Sequence, residues 1–202
     1  MPKHTHLVSY SKSMKPSDVN TFKNAAITLS KVYKAKYPLD TVKMEFVRSV
    51  KEIVEQINKA GVGKLVSLDI TSHGNQGGIH IARKLKTPEK SGFLQRIAHV
   101  RIRRHSDNPQ TEADAEYMEE SMHGLYSGNM SKVGVAYYFN QSYEKSTDIG
   151  FLNDIEFNRF SDKSVVEFHG CKTAEVIPGL NTWMKDNFAK EFSEKLGGKG
   201  IV

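Results

Sequence analysis

At 202 residues, with 38% hydrophobic and 26% charged side chains, the chain has the makeup of one globular domain able to bury a full core, which excludes disordered and collagen-like classes. No apolar run reaches bilayer-spanning length, and a single cysteine excludes an internal disulfide framework and fits a reducing compartment. The net charge of +6 permits binding of an anion or nucleic-acid backbone without establishing it. Thr5–Ser9 reads as a first strand. Ser17 and Asp18 then supply an N-cap for a helix to about Tyr37, with Phe22, Ala25, Ala26, Leu29, Val32 and Tyr33 on its apolar face. Pro38 stops it. Val42, Met44 and Phe46 make a second strand, and Ser49 caps a second helix through Ala60 with Val50, Ile53, Val54 and Ile57 as the buried stripe. Gly61 and Gly63 end that helix, and Leu65–Ile70 is apolar enough to be a central third strand. This alternation of strand and helix predicts a parallel sheet with crossover helices.

Beyond His73 the run Gly74–Gly78 leads to a strand-like Gly78–Arg83, read as one arm of a hairpin. Phe93–Arg103 fits a helix or a strand equally, and His105–Ala115 is rich in turn formers, so an exposed loop is expected there. Ala113–Met122 reads as a short acidic helix, Lys132–Asn140 as a strand, and the His123-Gly124 pair as a helix end. Val165–Phe168 is the fourth central strand. A last helix begins at Asn181-Thr182 with Trp183, Met184, Phe188 and Phe192 at helical spacing, ends at Gly197-Gly198, and is followed by the opening of another strand at Gly200-Ile201-Val202.

Two of these strands end alike. LVSLDITSHG at Leu65–Gly74 delivers His73-Gly74, and SVVEFHGCKTA at Ser164–Ala174 delivers Gly170-Cys171. Each is a β-branched apolar run broken by a glycine-containing turn, as expected of buried strands that bring residues to the carboxyl edge of an α/β sheet. A thiol and an imidazole at neighbouring strand ends form a nucleophile–base pair. His169 points to the same side as Cys171 in an extended strand and is the alternative base. Asp69 shares a strand face with His73 but lies too far back along it to orient the imidazole.

The motifs SHG at Ser72–Gly74, GIHI at Gly78–Ile81 and GCKTA at Gly170–Ala174 resemble those of the caspase-like (clan CD) cysteine peptidases, nearest to CHAT-type domains and to the self-cleaving cysteine protease domains of large bacterial toxins. The resemblance implies a three-layer α/β/α fold with a mostly parallel central sheet in one domain spanning 1–202. It implies a cysteine endopeptidase hydrolysing peptide bonds through an acyl-enzyme. Cys171 would be the nucleophile and His73 the base, with the amides of Gly74 and Cys171 as oxyanion donors. The substrate would be a peptide or protein, including the parent chain itself, with no cofactor and no metal. Relative to caspases the interval from His73 to Cys171 is long, so an insertion is expected around 84–162. Family members continue beyond the last helix into strands that build the specificity pocket, whereas this sequence ends at Val202, so a truncated chain, a processed piece or a domain without that pocket is expected. Glu175 and Asp162 are acidic candidates for selecting Lys or Arg.

Other features carry less. The basic cluster His99–His105 reads as a solvated face, with an anionic activator or a nucleic-acid backbone as its functional reading. His4 and His6 share a strand face, but no cluster completes a metal site. Gly74–Gly78 lacks P-loop spacing, and Ser127-Gly128 lacks the setting of a serine nucleophile. The rival functions are a catalytically silent binding module with the same fold and a basic nucleic-acid-acting toxin domain. The expected location is the cytoplasm, or a target-cell cytosol reached as part of a larger protein, with no membrane partner.

Overall fold

A computed structural model describes residues 3–13, 16–75, 78–81, 124–128, 148–170, 188–198 and 200–201. Strands β1 (Thr5–Ser11), β2 (Thr41–Val47), β3 (Leu65–Thr71), β8 (Phe160–His169) and β9 (Gly200–Ile201) form a five-stranded sheet in the order β2-β1-β3-β8-β9. Every pairing in it is parallel. The chain steps from β1 to β2 through helix α1 (Pro16–Lys36) and back to the other side of β1 through α2 (Val50–Asn58). Reversing direction with crossovers of one hand puts those helices on opposite faces and creates a switch point between β1 and β3.

The register shows what each face holds. Leu7, Leu68 and Val166 stand in one row, and Ser9, Ile70 and Phe168 in the next. These rows meet Val50, Ile53 and Ile57 of α2 and Phe188, Phe192 and Leu196 of the last helix and its end, α3 (Phe188–Lys195), in one apolar core. Full burial of each such side chain contributes about 1.5–3 kcal/mol. The alternate residues face α1 and are mostly polar: His6, Ser67 and Val165 in one row, Val8, Asp69 and Glu167 in the next, then Tyr10, Thr71 and His169. Thr71 Oγ1 donates to the Phe22 carbonyl of α1 at 3.2 Å. His6 donates to or accepts from Ser67 Oγ at 2.8 Å, while its ring stacks on Tyr33 and Tyr37.

A smaller sheet extends from the end of β3. Strands β4 (His73–Asn75), β5 (Gly78–His80), β6 (Gly124–Tyr126) and β7 (Ile149–Phe151) pair in that order, the first two pairs antiparallel and the last parallel. Gly78 and Gly124 permit its tight approach, since a Cβ at either would sit 2.3 Å from a carbonyl oxygen across the ladder. Asp148 fastens this sheet to α2. Its carboxylate accepts from Val50 N at 2.7 Å at the helix start, and its carbonyl accepts from Gly124 N at 3.0 Å.

Several expectations hold. The Ser49 side chain caps α2 by accepting from Glu52 N, the predicted stripe of α2 is buried or packed on the core, and Gly197 and Gly198 end α3 at positive φ. The hairpin predicted at Gly78 is present. Others need correction. The buried side of α1 runs through Ala26 and Ser30, leaving Ala25 exposed and Val32 53% exposed. The reason is that α1 covers a largely polar sheet face, so Ser30, outside the predicted apolar stripe, lies inward. β8 starts at Phe160, because Phe160 pairs with Leu65 and the polar residues 161–164 bulge from the ladder before pairing resumes at Val165. Gly124 opens a strand instead of closing a helix. The expectations for 93–103, 105–115, 113–122, 132–140, Trp183 and Met184 lie outside the described residues.

Candidate active site

The site is assembled at the carboxyl edge of the sheet, beside the switch point. β3 and β8 are hydrogen-bonded neighbours whose last paired residues are Thr71 and His169. One residue later on each strand the chains are still in contact. A Cβ built on Gly170 would lie 3.1 Å from the Ser72 carbonyl oxygen and 3.6 Å from the Gly74 amide nitrogen and the His73 carbonyl carbon. Glycine suits this position because the two backbones leave little room for a side chain, and a Cβ would fit only if one strand exit shifted by a few tenths of an ångström. Gly170 thus abuts the Ser72–Gly74 segment directly. Cys171, the next residue, lies outside the described residues, as do the basic cluster His99–His105 and Glu175.

His73 is the first residue of β4, with its side chain 28% exposed. Its Nε2 is 2.8 Å from Asp18 Oδ2, and the ring of Phe22 meets it edge-on at 5.1 Å. Asp18 and Phe22 sit one turn apart at the start of α1, so one helix end fixes the imidazole by a hydrogen bond and by a ring contact. A helix N-terminus favours a carboxylate in its first turn. The Asp18 bond occupies Nε2 and leaves Nδ1 as the ring nitrogen able to exchange a proton with another group.

Two other histidines border this edge. His80 is the cross-strand partner of His73 and is fully buried. Burial, and secondarily the charge of His73, push its pKa down to about 3, so it is neutral beside the part-buried His73 imidazole. His169 has Nε2 at 3.1 Å from Asp69 Oδ1 and 3.5 Å from Glu167 Oε2. The Asp69 hydrogen bond raises the His169 pKa against the opposing effect of burial. Asp69 also accepts from the Tyr33 hydroxyl at 2.9 Å, and burial, followed by the negative charge of Asp69, drives the Tyr33 pKa up. His6 and His4 both approach Asp40, at 3.4 and 3.9 Å, and burial lowers the His6 pKa.

Sequence reasoning placed His73, Gly74 and Gly170 at one edge, and the structure brings those three together. As expected, Asp69 does not orient His73. Asp18, read only as a helix cap, is the residue that contacts it. The strand order explains the contact: α1 follows β1, β1 neighbours β3, and the start of α1 therefore lies beside the exit of β3. Among the described residues no helix is long and apolar enough to cross a membrane. Comparison of the chain with protein-family models, curated proteins and solved structures finds no match to any of them.

Proposed function

We propose that this is a cysteine peptidase of caspase-like, three-layer architecture, acting through Cys171 and His73 with Asp18 as the residue that positions the imidazole. The observation that carries this reading is the abutment of Gly170 on Ser72–Gly74, with His73 already held by Asp18 at 2.8 Å. A residue directly following Gly170 starts within reach of the His73 loop, and Cys171 is that residue.

The reaction follows from the groups. His73 Nδ1 takes the Cys171 thiol proton while Asp18 holds the Nε2–H and steadies the resulting imidazolium. The thiolate adds to the scissile carbonyl, and the amides of Gly74 and Cys171 donate to the developing oxyanion. Collapse expels the amine, which takes the proton back from His73 and leaves a thioester on Cys171. Water, deprotonated by His73, then hydrolyses that thioester. Peptide bonds of the parent chain are the nearest substrates for such a domain inside a larger toxin or effector.

The test is thiol chemistry at controlled pH. Cys171 should be alkylated by iodoacetamide well below the ordinary thiol pKa of about 8.5. Both His73→Ala and Asp18→Asn should slow labelling and reduce peptide hydrolysis, the latter on the order of 10²-fold, because the imidazole loses its fixed orientation. His169→Ala should leave both unchanged. Labelling that rises only above pH 8.5 and ignores His73→Ala would instead establish a silent binding module.

A further inference from the structure

Asp69 and Glu167 are direct partners across the parallel β3–β8 ladder, so two carboxylates stand side by side on the α1 face. Like charges directly opposite one another destabilise a sheet. The Asp69 side chain is only 1% exposed, so water does little to screen it. A cation between them resolves the conflict. His169 Nε2 occupies that position, and a protonated imidazole brings one positive charge to two negative ones.

We propose that Asp69, Glu167 and His169 form a divalent-cation site whose best-fitting ion is Zn²⁺. One donor atom from each lies within 4.8 Å of the others. Ligands held at about 2.0–2.2 Å around a tetrahedral Zn²⁺ are separated by about 3.3–3.5 Å. The separations of His169 Nε2 from the Asp69 and Glu167 oxygens, 3.1 and 3.5 Å, bracket that value. The second Asp69 oxygen accepts from the Tyr33 hydroxyl at 2.9 Å, the kind of outer bond that fixes a ligating carboxylate in orientation. One imidazole with two carboxylates suits zinc better than calcium or magnesium, which take oxygen alone. Glu167 and His169 are exposed, which gives the ion a route from solvent. On binding, the imidazole gives up its proton and the ion neutralises both carboxylates. The ion would clamp β3 to β8 just before each strand delivers its residue to the proposed active site.

The experiment is titration of the metal-stripped full chain with ZnCl₂ by calorimetry, and with CoCl₂ by visible absorption. One equivalent of Zn²⁺ should bind saturably and raise the thermal midpoint, and Co²⁺ should give the visible bands of a tetrahedral ion. Glu167→Gln and His169→Asn, both at exposed positions, should each weaken Zn²⁺ binding at least about tenfold while keeping the wild-type circular dichroism. Cys171→Ala and His4→Ala should bind Zn²⁺ like the wild type. Absence of saturable binding overturns the proposal. So does affinity that survives Glu167→Gln and His169→Asn but falls in Cys171→Ala or His4→Ala, because the ion then sits on the thiol or the amino-terminal histidines. Cys171→Ala removes peptidase chemistry without touching these ligands, so the two readings fail separately.

Discussion

Gly170 is where a single missing side chain sets the spacing of the site. A Cβ there meets the Ser72 carbonyl at 3.1 Å, a distance a small displacement can relieve, so Gly170→Ala should retain much of the Cys171 reactivity. Gly170→Val cannot be accommodated in this way and must force the two strand exits apart. It should slow iodoacetamide labelling at neutral pH at least about tenfold and cost about 1–3 kcal/mol of stability, the usual range for overpacking. Wild-type labelling in Gly170→Val would show that this contact does not govern the approach of thiol and imidazole. Asp18 works at the same scale by a different means. Its bond to His73 is part-exposed, so water screens it and it adds little stability, and its effect should appear in reactivity instead.

The elements differ in how they hold that edge in place. α3 is anchored by Phe192, which is fully buried and meets Phe157, Phe160, Phe168 and Phe188 at centroid distances of 5.0 to 6.2 Å. Phe192→Ala should therefore cost about 3–5 kcal/mol in chemical denaturation; a loss under about 1 kcal/mol would mean α3 is not docked as described. α3 is also tied to the smaller sheet, since Glu191 accepts from Gly128 N at 3.0 Å and from the Ser127 hydroxyl. Most of the parallel sheet was legible in the sequence, because β1, β3 and the end of β8 are apolar runs and α2 has a clean 3.6-residue stripe with a serine cap. α1 was misread in part because its inward side meets His6, Asp69 and Thr71, so its buried face is not its most apolar one. The start of β8 hid behind the bulge at 161–164, which reads as a polar turn. At the site, His73 and Gly170 announced themselves through strand ends. The roles of Asp18 and Tyr33 depend on which strands are neighbours, and local spacing does not encode that.

For the whole molecule, the buried histidines set the pH range of stability. The unfolded chain binds a proton at His80 near pH 6.5, whereas the folded chain does so only near 3. Below 6.5 the unfolded state therefore holds more protons, and stability falls as pH falls, by up to about 1.4 kcal/mol per pH unit from this group. His6, also lowered by burial, adds to the same slope. His169, raised by Asp69, acts in the opposite sense: its contribution is present below 6.5 and lost as pH rises through its folded value. Urea midpoints should accordingly be highest near pH 6.5 in the metal-free protein, and His80→Leu should flatten the acid side. An acid slope unchanged in His80→Leu would assign the effect elsewhere. The adjacency of β3 and β8 has a consequence for synthesis as well. Asp69 and His169 are 100 residues apart in the chain, and the ladder joining them cannot form until the later strand has left the ribosome. On the proposed function, a nascent chain carrying His73 and Asp18 therefore has no thiol partner at that edge until β8 and the residue after it have been made.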